Sequence, residues 1–191
     1  MLEHFIPSKT RRKILALFYS DITKIYHLRQ ISREVDEEIN AVKRELDILE
    51  KSKFVIKEKR INKMIFTINQ KHIFFDDFLR IFFKENHLIK DFTANQSKLG
   101  KVKLLTISKK LPLREKINPS EIYILLIGIV VAAEVNQIIK NNQHNFPYEI
   151  NYSIMDEEEF LFRKKNNDPF IGTYLKQPQI VIVGSEDYLR L

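Results

Sequence analysis

The chain has 191 residues, of which 44% are hydrophobic and 30% charged, the balance of a folded globular protein rather than a disordered one. It contains no cysteine, which excludes disulfides, thiol catalysis and cysteine-ligated metal sites. The longest apolar run, residues 122–133, is too short to span a membrane. The N-terminus shows no secretory signal, so we expect a cytoplasmic protein without membrane association.

The excess of positive charge is concentrated near the N-terminus. The net charge is +7, and residues 1–70 carry 15 basic against 10 acidic side chains. An excess of this kind is typical of a surface that binds a polyanion such as nucleic acid. A basic surface that serves solubility alone is the alternative, and net charge does not separate the two.

Three helices are predicted in the first fifty residues. Ser8 is a suitable N-cap for a helix that ends near residues 19–21. After a short extended piece at 25–28, apolar residues at 28, 31 and 35 indicate a short second helix. The third helix, Ile39–Lys51, has an apolar face and an outer polar face that carries Asn40, Lys43, Arg44 and Asp47.

Two alternating segments follow and predict a β-hairpin with a basic tip. They are residues 54–59 and 64–68, separated by 60–63. A hairpin that directly follows two helices joined by a tight turn is the wing of a winged helix-turn-helix. The polar face of the third helix is suited to base edges in the major groove, and the basic hairpin tip to the phosphate backbone or the minor groove. A winged helix that binds protein instead is the alternative.

Three stretches carry a resemblance to a known family. They are Ser8-Lys-Thr-Arg-Arg-Lys-Ile-Leu-Ala-Leu-Phe, Tyr26-His-Leu-Arg-Gln-Ile-Ser-Arg-Glu-Val and Asn40-Ala-Val-Lys-Arg-Glu-Leu-Asp-Ile-Leu-Glu-Lys. Over about residues 8–69 the chain resembles the winged helix of ArsR-like transcriptional regulators. The resemblance implies sequence-specific binding of double-stranded DNA, usually by a homodimer, with the third helix as the reading helix. The DNA-binding candidates are Arg29, Asn40, Lys43, Arg44, Lys57, Lys59, Arg60 and Lys63.

A metal-sensing role is not expected. The metal-sensing members of that family use cysteine or histidine clusters, whereas this chain has no cysteine and five scattered histidines. We therefore expect no metal site.

Residues 71–99 are expected to link two domains. The pattern predicts one helix from His72 to Lys90, with a stripe of apolar residues at Phe75, Phe78, Leu79, Phe82 and Phe83. This stripe could pack on the winged helix or on the same helix of a second chain, and we favour the second chain. Residues 91–101 are the expected domain boundary.

Strands and helices alternate beyond residue 100. Strands are predicted at 102–107, 122–127, 148–155 and 180–183, and helices at 131–140, from Asp156 onward and from Asp168 to about Lys176. The acidic residues at 156–159 suit the positive N-terminal end of a helix dipole. The fold class expected for the whole chain is α+β.

The order of these elements resembles the minimal nucleotidyltransferases, which are similar to the polymerase-β superfamily, over about residues 100–185. Active members place Gly-Ser after the first strand and Asp-x-Asp at the start of the second, where the carboxylates hold two Mg²⁺ ions. Here Ser108 matches the serine but Ile107 replaces the glycine, and Tyr123 cannot replace the second carboxylate beside Glu121. The resemblance therefore implies a degenerate site at Ser108, Glu121 and Tyr123, with no catalytic residue and no cofactor.

We thus expect three parts: a winged helix DNA-binding domain at 1–70, a linking or dimerisation helix at 71–99 and a mixed α/β nucleotidyltransferase-like domain at 100–191. The expected function is transcriptional regulation, without enzyme activity. A nucleotide or protein partner could bind the C-terminal domain. The loop with Lys109, Lys110, Arg114 and Lys116 could bind an anion or nucleotide without chemistry, and a solvated loop is the simpler interpretation. The alternatives are a divergent Mg-dependent nucleotidyltransferase, with Glu149 as its second carboxylate, and an antitoxin-like interaction protein.

Overall fold

The structure, a computed structural model, describes residues 2–189. The chain is α+β and divides into two compact units, the first ending at Phe83 and the second beginning at Lys84. The segment expected to link the two is therefore shared between them. None of the helices in the described part of the chain has the length and apolar character needed to cross a bilayer.

The described part of unit 1 contains a 3-10 helix (Leu2–His4), four α-helices and a three-stranded sheet. The α-helices are α1 (Lys9–Ser20), α2 (Leu28–Val35), α3 (Ile39–Lys51) and α4 (Phe75–Lys84). The strands are β1 (Tyr26–His27), β2 (Val55–Arg60) and β3 (Lys63–Ile68), all antiparallel in the order β1-β3-β2. The predicted order and bounds of α1 to α3 and of the hairpin are confirmed to within two residues.

Local sequence explains how these helices begin and end. The Ser8 hydroxyl accepts a hydrogen bond from the Arg11 amide at 3.2 Å, which caps α1 as expected. Asp36 ends α2 with φ of 50°, and the Glu38 carboxylate then caps α3 by accepting from the amides of Asn40 and Ala41. Aspartate takes the left-handed conformation more easily than most residues, so only three residues separate the two helices.

The predicted single helix from His72 to Lys90 is wrong. It is two helices, α4 and α5 (His87–Ala94), because the Asn86 side chain accepts a hydrogen bond from the Leu88 amide and starts a new helix. The apolar stripe of α4 packs on its own unit: the Tyr19 ring lies 5.3 to 6.3 Å from the rings of Phe75, Phe78 and Phe82. The stripe is therefore used within unit 1, and the preference for a second chain there is wrong.

Unit 2 is a mixed four-stranded sheet with helices. Its strands are β4 (Gly100–Ser108), β5 (Ile124–Val130), β6 (Tyr152–Met155) and β7 (Gln179–Val183), in the order β6-β5-β4-β7. β4 is antiparallel to β5 and β7, whereas β5 and β6 are parallel. Besides α5, its helices are α6 (Ala132–Asn142), α7 (Glu157–Lys165) and α8 (Pro169–Leu175).

The core of unit 2 lies against the sheet. Leu104, Leu125 and Ile127 share one buried face of the sheet, and Phe160 of α7 and Ile171 and Tyr174 of α8 complete that cluster. The connections through α6 and through α7 and α8 cross the sheet in opposite directions. Because such crossovers are right-handed, α6 belongs on the other face. The sheet is thus buried on both faces, as the continuous apolar run in β5 indicates.

Two predicted strands have the wrong bounds. The second strand of the sheet starts at 124 rather than 122 and continues to 130, and the third covers only Tyr152–Met155 rather than 148–155. Residues 148–151 lie outside the strand: the Gln143 side chain bonds the Tyr148 carbonyl and the Ile150 amide, and the Asn151 carbonyl accepts from the amides of Tyr123 and Ile124 just before the parallel ladder begins.

Candidate nucleic-acid interface

The polar face of α3 is held outward by contacts on its opposite side. Glu45 is 7% exposed, and its carboxylate accepts hydrogen bonds from the Ser8 hydroxyl at 2.7 Å and from Arg11 Nε at 2.8 Å. Val42, Leu46 and Leu49 are buried on the same side. These contacts join α3 to α1 and leave the face with Lys43 and Arg44 in solvent.

The turn between α2 and α3 is also fixed by a charged side chain. Lys13 Nζ of α1 donates to the Val35 carbonyl at 2.8 Å and lies 2.8 Å from a carboxylate oxygen of Glu37. The hydrogen bond from Lys13 holds the pKa of Glu37 below its ordinary value. These contacts tie the turn between α2 and α3 to α1, which neither the spacing nor the composition of this segment indicates.

Five of the eight candidate side chains present free positive charge. Among residues 2–189, Arg29, Lys43, Arg44, Lys59 and Lys63 are exposed, and their side chains make no ion pair and no hydrogen bond. Cationic groups without a partner in the protein can release counterions from a nucleic acid at no cost in internal contacts.

The other three candidates have partners within the protein. Asn40 Nδ2 donates to Glu38 Oε1 at 3.1 Å, and Arg60 lies 3.3 Å from Glu58. Lys57 is the least exposed of the eight and pairs with Asp47 at 3.6 Å and Glu50 at 3.4 Å, both on α3. Lys57 therefore fastens the hairpin to α3, and Asn40 must leave Glu38 before it can contact a base.

The tip of the hairpin places like charges opposite each other. Arg60 pairs with Lys63 in the register, so that Ile61 and Asn62 alone form the turn. Directly opposed charges of the same sign destabilise a β-ladder. Ile61 adds a further cost of about 1–2 kcal/mol, because its φ of 53° is unfavourable for a β-branched residue.

An open groove separates the hairpin tip from the start of α3. Its volume is about 730 Å³, and it is lined by His27, Leu28, Arg29, Ile39, Asn62, Lys63 and Met64. Arg29 at the start of α2 and Lys63 of β3 supply its positive charge. The structure thus brings the candidates on α2 and on the hairpin to the two sides of one groove, beside the N-terminal end of α3.

Glu121 and Ser108, two residues of the degenerate motif expected in unit 2, share one hydrogen-bond network. Glu121 accepts from Lys110 Nζ at 2.9 Å, Asn118 Nδ2 at 2.7 Å and Gln177 Nε2 at 3.2 Å. The hydrogen bond from Lys110, more than any other contact, holds the pKa of Glu121 below its ordinary value. Ser108 is fully buried and donates to Gln177 Oε1 at 2.9 Å. Gln177 joins the two motif residues. Nothing in the local sequence predicts this contact, since Gln177 is distant from both residues along the chain.

The other two residues considered for this motif, Tyr123 and Glu149, lie outside that side-chain network. Tyr123 is 1% exposed and its hydroxyl donates to the Glu115 carbonyl at 2.7 Å. Glu149 lines the same cavity of about 480 Å³ as Glu121. Within residues 2–189, no cluster of three or more histidine, aspartate or glutamate side chains is placed to hold a metal ion.

Most basic side chains of the loop after β4 already have interaction partners, which does not favour an anion site there. Lys110 is paired with Glu121, and Arg114 donates to the Asn145 carbonyl at 3.2 Å. Lys109 also has an interaction partner. Three of the four basic side chains of this loop therefore have an interaction partner.

The chain was compared with protein-family models, with curated proteins and with solved structures, and none of these comparisons found a match.

Proposed function

We propose that this protein is a sequence-specific double-stranded DNA-binding transcriptional regulator. The observation that carries the proposal is a group of unpaired cations near the start of α3. These cations lie on α2, on α3 itself and on the hairpin. The order α1, β1, α2, α3, β2, β3, with β1 joining the hairpin as a third strand, supports a winged helix as the scaffold.

The reading helix in this proposal is α3. An α-helix fits the major groove of B-DNA, and Arg or Lys there can donate to guanine O6 and N7. Lys43 and Arg44 are exposed and have no partner in the protein, so they are available for guanine or phosphate. Asn40 can read adenine once its side-chain amide breaks its hydrogen bond to Glu38 and bonds the base instead.

The hairpin and α2 position the protein along the backbone. Lys59 and Lys63 on the hairpin and Arg29 on α2 are free to pair with phosphates, and phosphate contacts fix the register of the protein without reading sequence. Lys57, which is paired to α3, holds the hairpin at a constant angle to the reading helix.

For unit 2 we propose a nucleotidyltransferase-like fold without catalysis. The antiparallel pairing of β4 with β5 and the parallel pairing of β5 with β6 support the fold. Its carboxylate, Glu121, is saturated by Lys110, Asn118 and Gln177. No observation favours the enzyme alternative over this role as a scaffold.

A homodimer on a palindromic site completes the proposal. Ile73, Phe74 and Ile81, on and just before α4, are exposed apolar side chains that the packing of unit 1 leaves uncovered. Sedimentation of the full chain with and without DNA measures the stoichiometry directly.

Selection of bound fragments from random duplexes is the first test. The expected result is a single enriched motif, and palindromic symmetry in it would support two copies per site. Failure to enrich any motif at moderate salt, where non-specific binding is weak, contradicts sequence-specific binding.

The second test reverses charge on the reading helix. The double change Lys43→Glu and Arg44→Glu should abolish specific binding while leaving circular dichroism unchanged, because both side chains are exposed and unpaired. Lys98→Glu with Lys101→Glu is the matched control, since both are exposed residues of unit 2 and the net charge changes equally. Equal loss in the two variants would mean that only total charge matters and that α3 does not read the site.

A further inference from the structure

Ile61 stands out from every other large hydrophobic side chain that the structure describes. It is 92% exposed, the highest value among them, and lies in the two-residue turn of the hairpin. A single exposed apolar residue is ordinary on a protein surface. This one is also held at positive φ, whereas the other non-glycine residues with positive φ, at 36, 53, 114 and 167, are Asp, Lys, Arg and Asn.

The local sequence contains a better residue for this conformation at the neighbouring position. Asn62 follows Ile61, and asparagine takes the left-handed conformation far more easily than a β-branched residue. The turn therefore keeps an apolar side chain at its tip in spite of a conformational cost. A strained residue that persists on an exposed surface is a reason to look for a function.

The surroundings of Ile61 indicate what the tip meets. Lys59, Arg60 and Lys63 flank it, and the groove lined by Arg29 and Lys63 lies between the tip and the start of α3. With α3 in a major groove, a cationic groove beside it is suited to the adjacent phosphate strand. The minor groove lies beyond that strand, on the side of the hairpin tip.

We propose that Ile61 is an apolar wedge that enters the minor groove and partly unstacks one base step. This inference rests on the proposed function and names the contact made by the hairpin tip. Apolar wedges act in this way by displacing a base from its neighbour while flanking cations hold the backbone. The pyrimidine–purine steps TA and CA are the easiest to unstack, so the wedge adds a preference for such a step.

The experiment uses the full chain and the duplex that it selects from a random pool. Adenines of both strands are replaced in turn by 2-aminopurine, whose fluorescence rises when the base leaves the stack. Wild-type protein should raise the fluorescence at one step beside the α3 footprint. The variant Ile61→Asn should lose this rise and bind about tenfold more weakly, with an unchanged slope of log affinity against log salt because no charge is removed.

Two further measurements separate a wedge from a folding role. Ile61→Asn should raise the melting temperature of unit 1 by a few degrees, since asparagine relieves the strain. Ile61→Leu keeps an apolar side chain and should bind within about threefold of wild type with the fluorescence rise intact. Such a pattern cannot come from loss of folding, because the weaker binder is the more stable protein.

Three outcomes overturn the inference. Ile61→Asn could bind with wild-type affinity and fluorescence, or the wild type could bind without any rise in fluorescence at the adenines tested. In both cases DNA binding stands and the wedge fails. If the wild type selects no duplex at all, the proposed function fails first and the wedge fails with it.

Discussion

At the scale of single residues, two buried tyrosines have opposite hydrogen-bond states. Tyr19 is 3% exposed and its hydroxyl has no hydrogen-bond partner, whereas the Tyr174 hydroxyl lies 3.0 Å from Thr106 Oγ1. Burial raises the pKa of both hydroxyls, and the charge of Asp76 adds to this for Tyr19. A buried hydroxyl without a partner loses its bond to water and gains nothing in exchange.

The change Tyr19→Phe should therefore stabilise unit 1 by about 1 kcal/mol, because it removes an unsatisfied group and keeps the ring stacked on Phe82. Tyr174→Phe is the matched control and should destabilise unit 2 by about 1–2 kcal/mol, since Thr106 loses its partner. Hydrogen exchange of the slowest amides in each unit measures both. Destabilisation by Tyr19→Phe would indicate a partner for its hydroxyl, such as a buried water.

Three carboxylates make stability depend on acidity. Hydrogen bonds from Lys13, Lys110 and Lys103 hold the pKa values of Glu37, Glu121 and Glu157 below the ordinary glutamate value of 4.5. A carboxyl whose pKa is lower in the folded state stabilises the fold above its unfolded pKa. That contribution is lost as the pH falls through the folded pKa.

The free energy of unfolding should therefore be flat between about pH 5.5 and about pH 9 and should decline as the pH falls below about 4.5. Chemical unfolding at a series of pH values measures the decline. The variant Glu121→Gln keeps a hydrogen-bond acceptor but cannot titrate, so its acid decline should be shallower than that of the wild type. An identical decline in both proteins would mean that the bond between Lys110 and Glu121 contributes nothing to the pH dependence.

At the scale of elements, β4 is irregular where it meets its neighbours, and a glycine makes this possible. The register of β4 with β5 shifts between Val102 and Leu104, opposite Gly128. Gly128 has φ of 134°, and a Cβ there would lie 2.2 Å from the Lys101 carbonyl oxygen. Only glycine accepts both the conformation and this close approach of backbone.

The change Gly128→Ala should destabilise unit 2 by roughly 2–4 kcal/mol, because neither the conformation nor the contact can relax without breaking the ladder. Gly172→Ala is the control. Gly172 lies in α8 with open space around the position of a Cβ, and alanine there should be neutral or stabilise by up to about 1 kcal/mol. Thermal unfolding of the two variants compares them, and equal effects would mean that the bulge tolerates a side chain.

Most elements could be predicted from the sequence because their signals are local. Ser8, Asp156 and Asp168 each accept a backbone amide at a helix start that the pattern predicts. The apolar period continues through Asn86 and therefore does not predict the break there, although asparagine is itself a capping residue. Periodicity identifies the apolar face of the Phe stripe but not what covers it, which is why the expectation of a second chain there is wrong.

The candidate interface was only partly predictable, for a related reason. Exposure of Lys43, Arg44, Lys59 and Lys63 follows from helix and strand periodicity. The pairing of Lys57 with α3 and the anchoring of Glu45 to α1 depend on tertiary geometry. The left-handed conformation of Ile61 contradicts the local preference of a β-branched residue. Prediction from sequence is expected to fail at such strained or functional positions.

At the scale of the whole molecule, unpaired cations occur in both units, and those of the proposed interface are grouped on α2, α3 and the hairpin of unit 1. Within the described part of the chain, unit 2 has paired cations, such as Lys103 and Lys110, and exposed cations without an ion pair, such as Lys98 and Lys101. The grouping of unpaired cations in unit 1, more than the net charge of +7, should therefore decide which surface attracts a polyanion.

The salt dependence of DNA binding should report this surface directly. Each cation that neutralises a phosphate contributes about −0.9 to the slope of log affinity against log salt. Arg29, Lys43, Arg44, Lys59 and Lys63 are unpaired, so a chain that uses all of them on phosphates should show a slope of about −4 to −5. A dimer should show a slope of about twice that magnitude. A cation that contacts a base instead of a phosphate makes the magnitude of the slope smaller.

Alanine at Lys59 and Lys63 should therefore reduce the magnitude of the slope by roughly 2 per chain and weaken binding to all sequences alike. Alanine at Lys57 should change the slope little, since its charge is already balanced by Asp47 and Glu50; its effect should fall on affinity through the position of the hairpin. Titrations at several salt concentrations, with the selected duplex and a scrambled one, separate the two. Equal slope changes at Lys57 and Lys59 would mean that the ion pairs of Lys57 open on binding.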